Sequence, residues 1–378
     1  MALYKTLVKK VSISPEKKTK QKDYLPKGQL PIIDKGQQLI GGYTDNLDLQ
    51  LSCNLPVIVF GDHTRVVKYV DFPFGAGADG IKVLEPVEGI YPKFLYYATQ
   101  YLVLRLEDRG YARHYQYIEK KELDIPPVPE QKRIVARIEE LFSELDNGVE
   151  TLRKTKQQLA VYRQAVMKVV FQGVAQNHVM VSMGEILSGI EGGKSFKCEE
   201  RPPQETEYGI VKVSAVTWGT FNEEESKTCQ SSQFIESKRI KAGDFLFSRA
   251  NTLELVGNCV VVETVNKNLM LSDKILRFHF EDGILPKYVM YYLRTHEGKK
   301  QIQEYSTGNQ ESMRNIGQDR IKKINVPVCS MEEQNRVVSE IETRLSVCDS
   351  IEKTVDTALH QAEAMRQSIL KKAFEGKL

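Results

Sequence analysis

Apolar residues recur every seven positions in two stretches of the chain, which is the pattern of long helices that pack on other helices. In residues 130–175 the recurring residues are Ile138, Leu145, Leu152, Leu159 and Val166. In residues 333–378 the matching residues are Ile341, Cys348, Val355, Ala362 and Ile369. The pattern predicts a second row between them, formed by Ile134, Leu141, Tyr162 and Val169 in the first stretch and by Val337, Ile351, Ala358 and Met365 in the second.

The two stretches are copies of one sequence. Each residue of 130–175 aligns with the residue 203 positions later, without a gap, and 15 of the 46 positions are identical. A long helix buries little apolar surface alone, so each copy needs a partner. We expect the two helices to pair in antiparallel directions; the alternative is that each helix packs on its own globular domain.

Flanking residues predict where these helices begin and end. Pro129 precedes the first helix, and Ser330 with Glu333 forms an S-x-x-E capping box at the second. Gly173 and Gly376 occupy matching places at the far ends, where glycine often terminates a helix. We therefore expect both helices to stop at these glycines.

The segments before the helices repeat more weakly. GIYPKFLYY, from Gly89, resembles GILPKYVMY, from Gly283, and each predicts a turn followed by an amphipathic helix. Short apolar runs such as VIVF, from Val57, predict strands. The expected fold is mixed α/β (α+β), with one domain over 1–125, a long helix over 126–175, a second domain over 176–326 and a second helix over 327–378. Two similar copies imply a pseudo-twofold internal repeat.

Composition narrows the class of protein. The chain has 41% hydrophobic and 27% charged residues and a net charge of +3, as in globular proteins, so any nucleic-acid surface must come from the distribution of charge. The six cysteines are far apart and form no C-x-x-C pair, and no signal peptide or span of about 20 apolar residues is recognisable. We expect a cytoplasmic protein with reduced thiols.

Motifs for catalysis are incomplete. The chain has no N-P-P-[YF] tetrapeptide, which argues against a fused methyltransferase. Residues 75–80 match G-x-G-x-x-G, but a strand-like segment follows where a nucleotide site needs a helix. Gly192-Gly-Lys-Ser lacks the first glycine of a phosphate-binding loop, because position 188 is Ser188. We expect no catalysis, no metal site and no cofactor bound by this chain.

The proline segment, the E-Q pair and the long helix occur twice, as PPVPEQKRIVARIEELF and VPVCSMEEQNRVVSEIE. This arrangement resembles the specificity subunit of Type I restriction-modification enzymes. The resemblance implies two target recognition domains, each reading one half of a bipartite, asymmetric site in double-stranded DNA. It also implies helices that set the spacing and dock two modification (methyltransferase) subunits, which would bind S-adenosylmethionine for adenine N6 methylation, with ATP-dependent restriction subunits where a system has them.

Reading DNA requires side chains that reach base edges, together with basic and hydroxyl groups that hold phosphates. Candidates in the first domain are Lys17, Lys18, Lys20, Lys22, Lys35, Gln37, His63, Arg65, Arg109, Arg113 and His114. Candidates in the second are Lys194, Lys197, Lys212, Ser214, Arg249, Asn251, Lys274, Asn309, Gln310 and Arg314. The two sets differ, so the two domains should read different sequences.

Other interpretations remain open from the residues alone. The lysine run fits a solvated face as well as it fits phosphate contact, and Trp218 and Phe221 fit buried packing better than stacking on bases. A coiled-coil scaffold that binds only proteins is the alternative function. It explains the helices but leaves the two diverged domains without a purpose.

Overall fold

The computed structural model describes residues 1–77, 80–107, 110 and 112–378, and its contacts divide the chain into two compact units. The first unit contains Met1–Lys154 and Val355–Leu378, and the second contains Thr155–Thr354. Each unit therefore holds one globular region and parts of both long helices. We call residues 1–127 the first globular region and residues 178–330 the second globular region.

The first globular region is built on strands and two helices. The strands are β1 (Ala2–Leu3), β2 (Val8–Val11), β3 (Lys18–Thr19), β4 (Leu30–Ile33), β5 (Gly42–Thr44), β6 (Val57–Gly61), β7 (Val67–Val70), β8 (Gly75–Gly77), β9 (Ile81–Pro86) and β10 (Glu122–Leu123). The helices are α1 (Pro92–Leu104) and α2 (Tyr115–Ile118), with 3-10 turns at Tyr4–Thr6, Pro15–Lys17, Gln21–Asp23 and Leu47–Leu49. One sheet has the order β2-β9-β6-β7 and is antiparallel, a second has the order β3-β8-β4-β5, and β1 pairs with β10.

The apolar run in β6 is continuous because both faces of its sheet are covered. Ile58 and Phe60 pack in the cluster that contains α1, whereas Val57 and Val59 pack with residues of the second sheet. Successive side chains of a strand point to opposite faces, so one short segment joins two core layers. α1 begins at Pro92, as the sequence predicts, because proline fits the first turn of a helix.

Helix α3 (Val128–Asn177) follows, and after it the second globular region repeats the framework. Its strands are β11 (Met180–Ser182), β12 (Leu187–Gly192), β13 (Tyr208–Val211), β14 (Ser226–Cys229), β15 (Phe245–Ser248), β16 (Ala250–Asn251), β17 (Cys259–Val261), β18 (Asn268–Met270), β19 (Ile275–Phe280), β20 (Thr307–Gln310), β21 (Met313–Asn315) and β22 (Asn325–Pro327). Its helices are α4 (Met183–Ile186), α5 (Pro286–Arg294), α6 (His296–Tyr305) and α7 (Gln318–Ile321), with 3-10 turns at Val213–Val216, Ser231–Gln233 and Glu236–Lys238.

The main sheet of the second globular region has the order β12-β19-β15-β17 and is antiparallel, like the main sheet of the first. Phe245 and Phe247 pack in the cluster that contains α5, while Leu246 packs on the other face. Smaller sheets have the orders β14-β13-β18 and β16-β21-β20, and β11 pairs with β22. The two regions thus share a central sheet with a helix on one face.

The last element is helix α8 (Met331–Phe374), and within each unit it packs on α3. In the first unit the start of α3, with Val135 and Ile138, clusters with the end of α8, with Leu370 and Ala373. In the second unit the end of α3 clusters with the start of α8. The helices are therefore antiparallel in each unit, and each also packs on a globular region. Pairing of the helices and packing of each helix on a domain thus both describe part of the structure.

The expected main row of apolar residues lies at the contact between the helices. Ile138, Leu159, Val166, Ile341, Val355 and Ala362 are buried, and Leu145, Leu152 and Ile369 are half-buried. The expected second row is wrong at four positions, because the side chains of Tyr162, Val169, Ile351 and Met365 are exposed. The contact positions lie four residues after each main-row residue, not three, and several of them are polar: Arg163, Glu352 and Arg366.

The two glycines behave differently. Gly376 follows the end of α8 with a φ of +69°, and Lys377 N donates to Lys372 O at 2.8 Å, as in a glycine-terminated helix. Gly173 does not end α3, which continues to Asn177, so that expectation is wrong. Glycine costs a helix about 1 kcal/mol, which does not outweigh burial of the neighbouring Phe171 and Val174.

Candidate nucleic-acid interface

In the first globular region, polar residues gather where strands β4 and β6 end. Thr64 Oγ1 donates to Lys35 O at 2.7 Å, which joins the two turns. A Cβ atom at Gly80 would lie 3.3 Å from both His63 and Lys35, and Gly80 has a φ of +102° that glycine adopts most easily. Lys35 and His63, which are far apart in sequence, thus face the same short glycine segment.

A buried ion pair supports the turn that carries Lys35. Lys68 Nζ lies 3.4 Å from Asp34 Oδ1, and the same oxygen accepts a hydrogen bond from Gly36 N at 2.8 Å. Burial lowers the pKa of Lys68, and the nearby Asp34 opposes this shift. Because Lys68 is 4% exposed, it acts as a support for the turn and does not reach the surface.

Arginine side chains flank this turn. Arg65 lies two residues after His63, and its φ of +61° is a left-handed conformation that is uncommon for arginine. His63 Nδ1 lies 3.2 Å from Ala112 O, which brings the exposed Arg113 to the same end of the sheet. Gln37, two residues after Lys35, is exposed. Arg109, another expected contact, lies outside the described residues.

His114 is a correction to the expected DNA contacts. Its side chain is 1% exposed, and its Nδ1 lies 3.0 Å from Asp62 O. Asp62 also accepts from Tyr115 N at 2.9 Å, and its own N donates to Gly80 O at 2.7 Å. His114 and Asp62 therefore build the end of the sheet from inside, so His114 is not placed to touch a ligand.

The lysine run lies in the same sheet as the Lys35 turn, because β3 and β4 both pair in parallel with β8, and Lys18 and Ile33 both lie opposite Ala76. Lys20 and Lys22 are exposed, while Lys17 and Lys18 are half-buried. Lys17 Nζ donates to Asp48 O, so its ammonium is already engaged by the protein. Because β3, β8 and β4 run parallel, the exposed Lys20 follows β3 at the same edge of the sheet at which Lys35 follows β4.

In the second globular region the strand ends bring more candidates together. β16 pairs with β21, which places Asn251 opposite Arg314, and β20 forms a hairpin with β21. Arg249 N donates to Lys274 O at 3.0 Å, and Arg249 Nε reaches Asn315 Oδ1 at 3.4 Å. Asn309 and Gln310 are exposed on the hairpin. Arg249, Asn251, Lys274, Asn309, Gln310 and Arg314 thus lie in one neighbourhood.

A groove continues from Lys274. Its charged lining consists of three lysines and two carboxylates, Lys212, Lys227, Lys274, Glu200 and Asp273. Glu200 lies 2.6 Å from Lys227 Nζ and 3.9 Å from Lys212 Nζ. Lys194 Nζ lies 5.2 Å from the centre of the Phe196 ring, and Lys197 is exposed nearby in sequence. The second region therefore presents a basic groove next to an exposed hairpin.

Two of the expected contacts are partly committed to the fold. The Arg314 guanidinium donates to Ser306 Oγ at 3.1 Å and to the carbonyl oxygens of Gly308 and Ser306 at 3.0 and 2.8 Å. Ser214 Oγ donates to Glu225 Oε2 at 2.5 Å. Arg314 holds the hairpin in shape, and Ser214 has a carboxylate partner within the protein.

Some candidate surface residues were missed. Lys227, in the basic groove, stands alone in sequence and gave no signal, and Met313 is 76% exposed on the β20–β21 hairpin. Trp218 is 75% exposed, which corrects the expectation of a buried side chain, while Phe221 is half-buried as expected. Arg294 donates to Gly219 O and Asn258 donates to Thr217 O, and these bonds fix the backbone on both sides of Trp218.

The segments that resemble nucleotide-binding loops have other structures. Gly75–Gly77 form β8 and the strand β9 follows them, while no helix follows Gly192 before Cys198. In the described part of the chain, no three His, Cys, Asp or Glu side chains are grouped as a metal site would require. Among the described helices, none has the length and apolar character needed to cross a bilayer.

These features define a duplicated protein, in which each mixed α/β region carries polar strand ends and joins a long helix. A sequence model described as "Type I restriction modification DNA specificity domain" matches residues 10–159 and 177–361, which is most of the chain. The chain belongs to this family of specificity domains. The expected family resemblance is thereby confirmed.

Individual relatives agree with this assignment. The chain is 31% identical over 195 residues to the Type I restriction enzyme EcoEI specificity subunit of Escherichia coli, covering 50% of this chain and 33% of the relative. It is 28% identical over 274 residues to the EcoKI specificity subunit of Escherichia coli strain K12, and this match covers 68% of this chain and 57% of the relative. The chain thus spans between a third and little more than half of these curated relatives.

Solved structures match over the full length. A chain from a study of complex assembly and conformational transition in a type I R-M system covers 100% of this chain and 97% of its own length, with a TM-score of 0.64 and 15% identity. The match to the HsdS subunit from Thermoanaerobacter tengcongensis covers 100% of this chain and 96% of that subunit, with a TM-score of 0.52 and 15% identity. These matches confirm the expected mixed fold.

Proposed function

We propose that this chain is the sequence-specific DNA-binding specificity subunit of a Type I restriction-modification complex, with each globular region reading one half of a bipartite, asymmetric site. The observation that carries the proposal is a common framework with different polar strand ends. Lys35 and His63 stand at these ends in the first region, and Arg249 and Lys274 in the second. Different donors at the strand ends of the two copies are what two different half-sites require.

The charges suit the two parts of DNA recognition. Lys274, which is exposed in the groove of the second globular region, and the exposed Lys194 and Lys197 can neutralise phosphates and give salt-dependent affinity. The exposed amides of Asn309 and Gln310 can donate to and accept from base edges, for which amides are suited in the major groove. In the first region, Lys35 and Arg113 would contact phosphate, and His63 would face the bases.

The long helices would set the spacing of the half-sites and dock two modification (methyltransferase) subunits. Exposed apolar residues on their outer faces, such as Val161 and Val169, offer contact area for other proteins. The chain itself would be non-catalytic and bind no cofactor, and S-adenosylmethionine would sit on the modification subunits. Restriction subunits would join where the system has them, and the complex would work in the cytoplasm.

The test is a selection from random duplexes with this chain bound to its modification subunits. We expect enrichment of two short, different motifs separated by a fixed gap, with an affinity that falls steeply as salt rises. The modification subunits alone are the control and should enrich no bipartite site. Enrichment of no motif by the complex would refute DNA specificity and favour the alternative, a coiled-coil protein-interaction scaffold.

A further inference from the structure

Each long helix begins with a buried glutamine whose side chain reaches back into the globular region. Gln131, the fourth residue of α3, is 0% exposed. Its Oε1 accepts from Tyr91 N at 2.7 Å, and its Nε2 donates to Gly89 O at 3.0 Å and Pro126 O at 2.8 Å. One side chain thus joins the start of α3, the segment before it and the turn that opens α1.

The same arrangement occurs in the second unit. Gln334, the fourth residue of α8, is 0% exposed. Its Oε1 accepts from Leu285 N at 2.8 Å, and its Nε2 donates to Gly283 O and Cys329 O, both at 2.9 Å. Every partner in one unit corresponds to a partner in the other, and the two turns, GIYPK from Gly89 and GILPK from Gly283, share four of five residues.

Only glutamine satisfies this set of bonds. The amide offers one acceptor oxygen and two N–H donors, and the three backbone groups require that combination. Glutamate would set a carboxylate against two carbonyl oxygens, and methionine would leave all three backbone groups without their side-chain partner. Asparagine is one methylene shorter, so it would reach fewer of the partners.

A second contact lies two turns further along each helix. Lys93 Nζ of α1 lies 2.7 Å from Glu139 of α3, and Lys287 Nζ of α5 lies 2.7 Å from Glu342 of α8. α1 and α5 are part of the cores of their globular regions. In each unit, the helix is therefore fixed to its region at two points along its axis, which restrains the direction in which it leaves.

We propose that Gln131 and Gln334 are positioning residues that hold each DNA-reading region at a fixed angle to its long helix, and so set how strictly the complex measures the gap between half-sites. This inference rests on the proposed function. Neither glutamine touches DNA in this proposal. Each acts through the direction of the helix that it joins to the region.

The test uses the full chain with its modification subunits and duplexes that carry the two selected half-sites at the preferred gap or with one base pair added or removed. For Gln131→Met with Gln334→Met, we expect the preference for the correct gap over the altered gaps to fall by roughly tenfold, because the geometry is no longer enforced. Affinity for the correct gap should fall much less.

A matched control is Gln301→Met in the second globular region. Gln301 Nε2 donates to Tyr292 Oη and Asn325 O, and its Oε1 accepts from Asn325 N, but none of these bonds involves a long helix. It loses three glutamine hydrogen bonds, as many as each of the two substitutions in the double variant, and should keep the gap preference of the unaltered complex. If the double glutamine variant does not assemble, Lys93→Met with Lys287→Met removes the second contact and should relax the gap preference in the same direction.

Four outcomes separate the ideas. Gap preference lost in the Gln131 and Gln334 variant, but kept in the Gln301 control, supports the inference. Equal loss of affinity at all gaps would overturn it, because that result describes a merely structural role, as would an unchanged profile in whichever variant assembles. If the unaltered complex selects no bipartite site at all, the proposed function fails first.

Discussion

The two globular regions have the same internal framework and different polar ends. In the first region, the residue after β6 bonds to the residue before β9, since Asp62 N donates to Gly80 O. In the second region, the residue after β15 bonds to the residue before β19, since Arg249 N donates to Lys274 O. The first region has a buried carboxylate at this place, and the second has a half-buried guanidinium. The framework is thus conserved between the copies, while the groups that a ligand could meet have been replaced.

The difference teaches that equivalent positions need not have equivalent roles. Asp62 is held by Tyr115 N and supports the turn from inside. Arg249 makes one long side-chain bond to Asn315 and can turn toward a ligand. A functional residue in one copy therefore cannot be transferred to the other by alignment alone.

The largest expected effect tests the common framework. Phe60 and Phe247 occupy equivalent places in the central strands, and both are 0% exposed. Replacing either by alanine should lower the free energy of unfolding by about 3–5 kcal/mol, because a large cavity remains in the core. Urea denaturation followed by circular dichroism would measure both losses. A loss in only one region would show that the frameworks are not equivalent.

A smaller effect separates the two strand ends. Asp62→Ala leaves the buried N–H of Tyr115 without its acceptor, so it should lower the free energy of unfolding by about 1–3 kcal/mol. Arg249→Ala should leave stability almost unchanged and weaken specific DNA binding by about 1–3 kcal/mol if Arg249 contacts a base. Thermal unfolding and binding titrations on both variants would compare them. The comparison breaks if Arg249→Ala destabilises the fold and leaves binding unchanged.

The smallest effect concerns the contact between the helices. Arg163 pairs with Asp349 in the second unit, and Arg366 pairs with Asp146 in the first, at matching places of the repeat. Double-mutant cycles should give a coupling of about 0.2–1 kcal/mol for each pair, because all four groups are partly exposed. Both couplings should shrink at high salt. A coupling free energy well above this range in one unit would show that the two ion pairs are not energetically equivalent.

Much of this architecture could be predicted from the sequence because helix periodicity is a local property. The repeated helices, the main row of Ile138 and its equivalents, and the turns before α1 and α5 follow from spacing alone. The second row was harder to predict, because four of its ten true positions carry the charged residues Lys156, Arg163, Glu352 and Arg366, which hydrophobicity does not mark.

The candidate site was harder to predict because it depends on contacts between distant segments. His114 is buried by its bond to Asp62, 52 positions away, and nothing next to it in sequence indicates this. Trp218 is exposed because Arg294 and Asn258 fix the backbone on either side of it. Lys35 and His63 could be named as polar turn residues, but their common position at Gly80 required the fold.

The first unit combines the beginning and the end of the chain, and this has a consequence for synthesis of the protein. Phe94 and Ile138 are buried together with Leu370 and Ala373, which the ribosome adds only after more than two hundred further residues. At about 5–20 residues per second, the apolar surface around Phe94 and Ile138 waits on the order of 10–40 s for α8. During that time the apolar surface around Phe94 and Ile138 is exposed on the nascent chain. We therefore expect chaperones to bind the first globular region before α8 is synthesised.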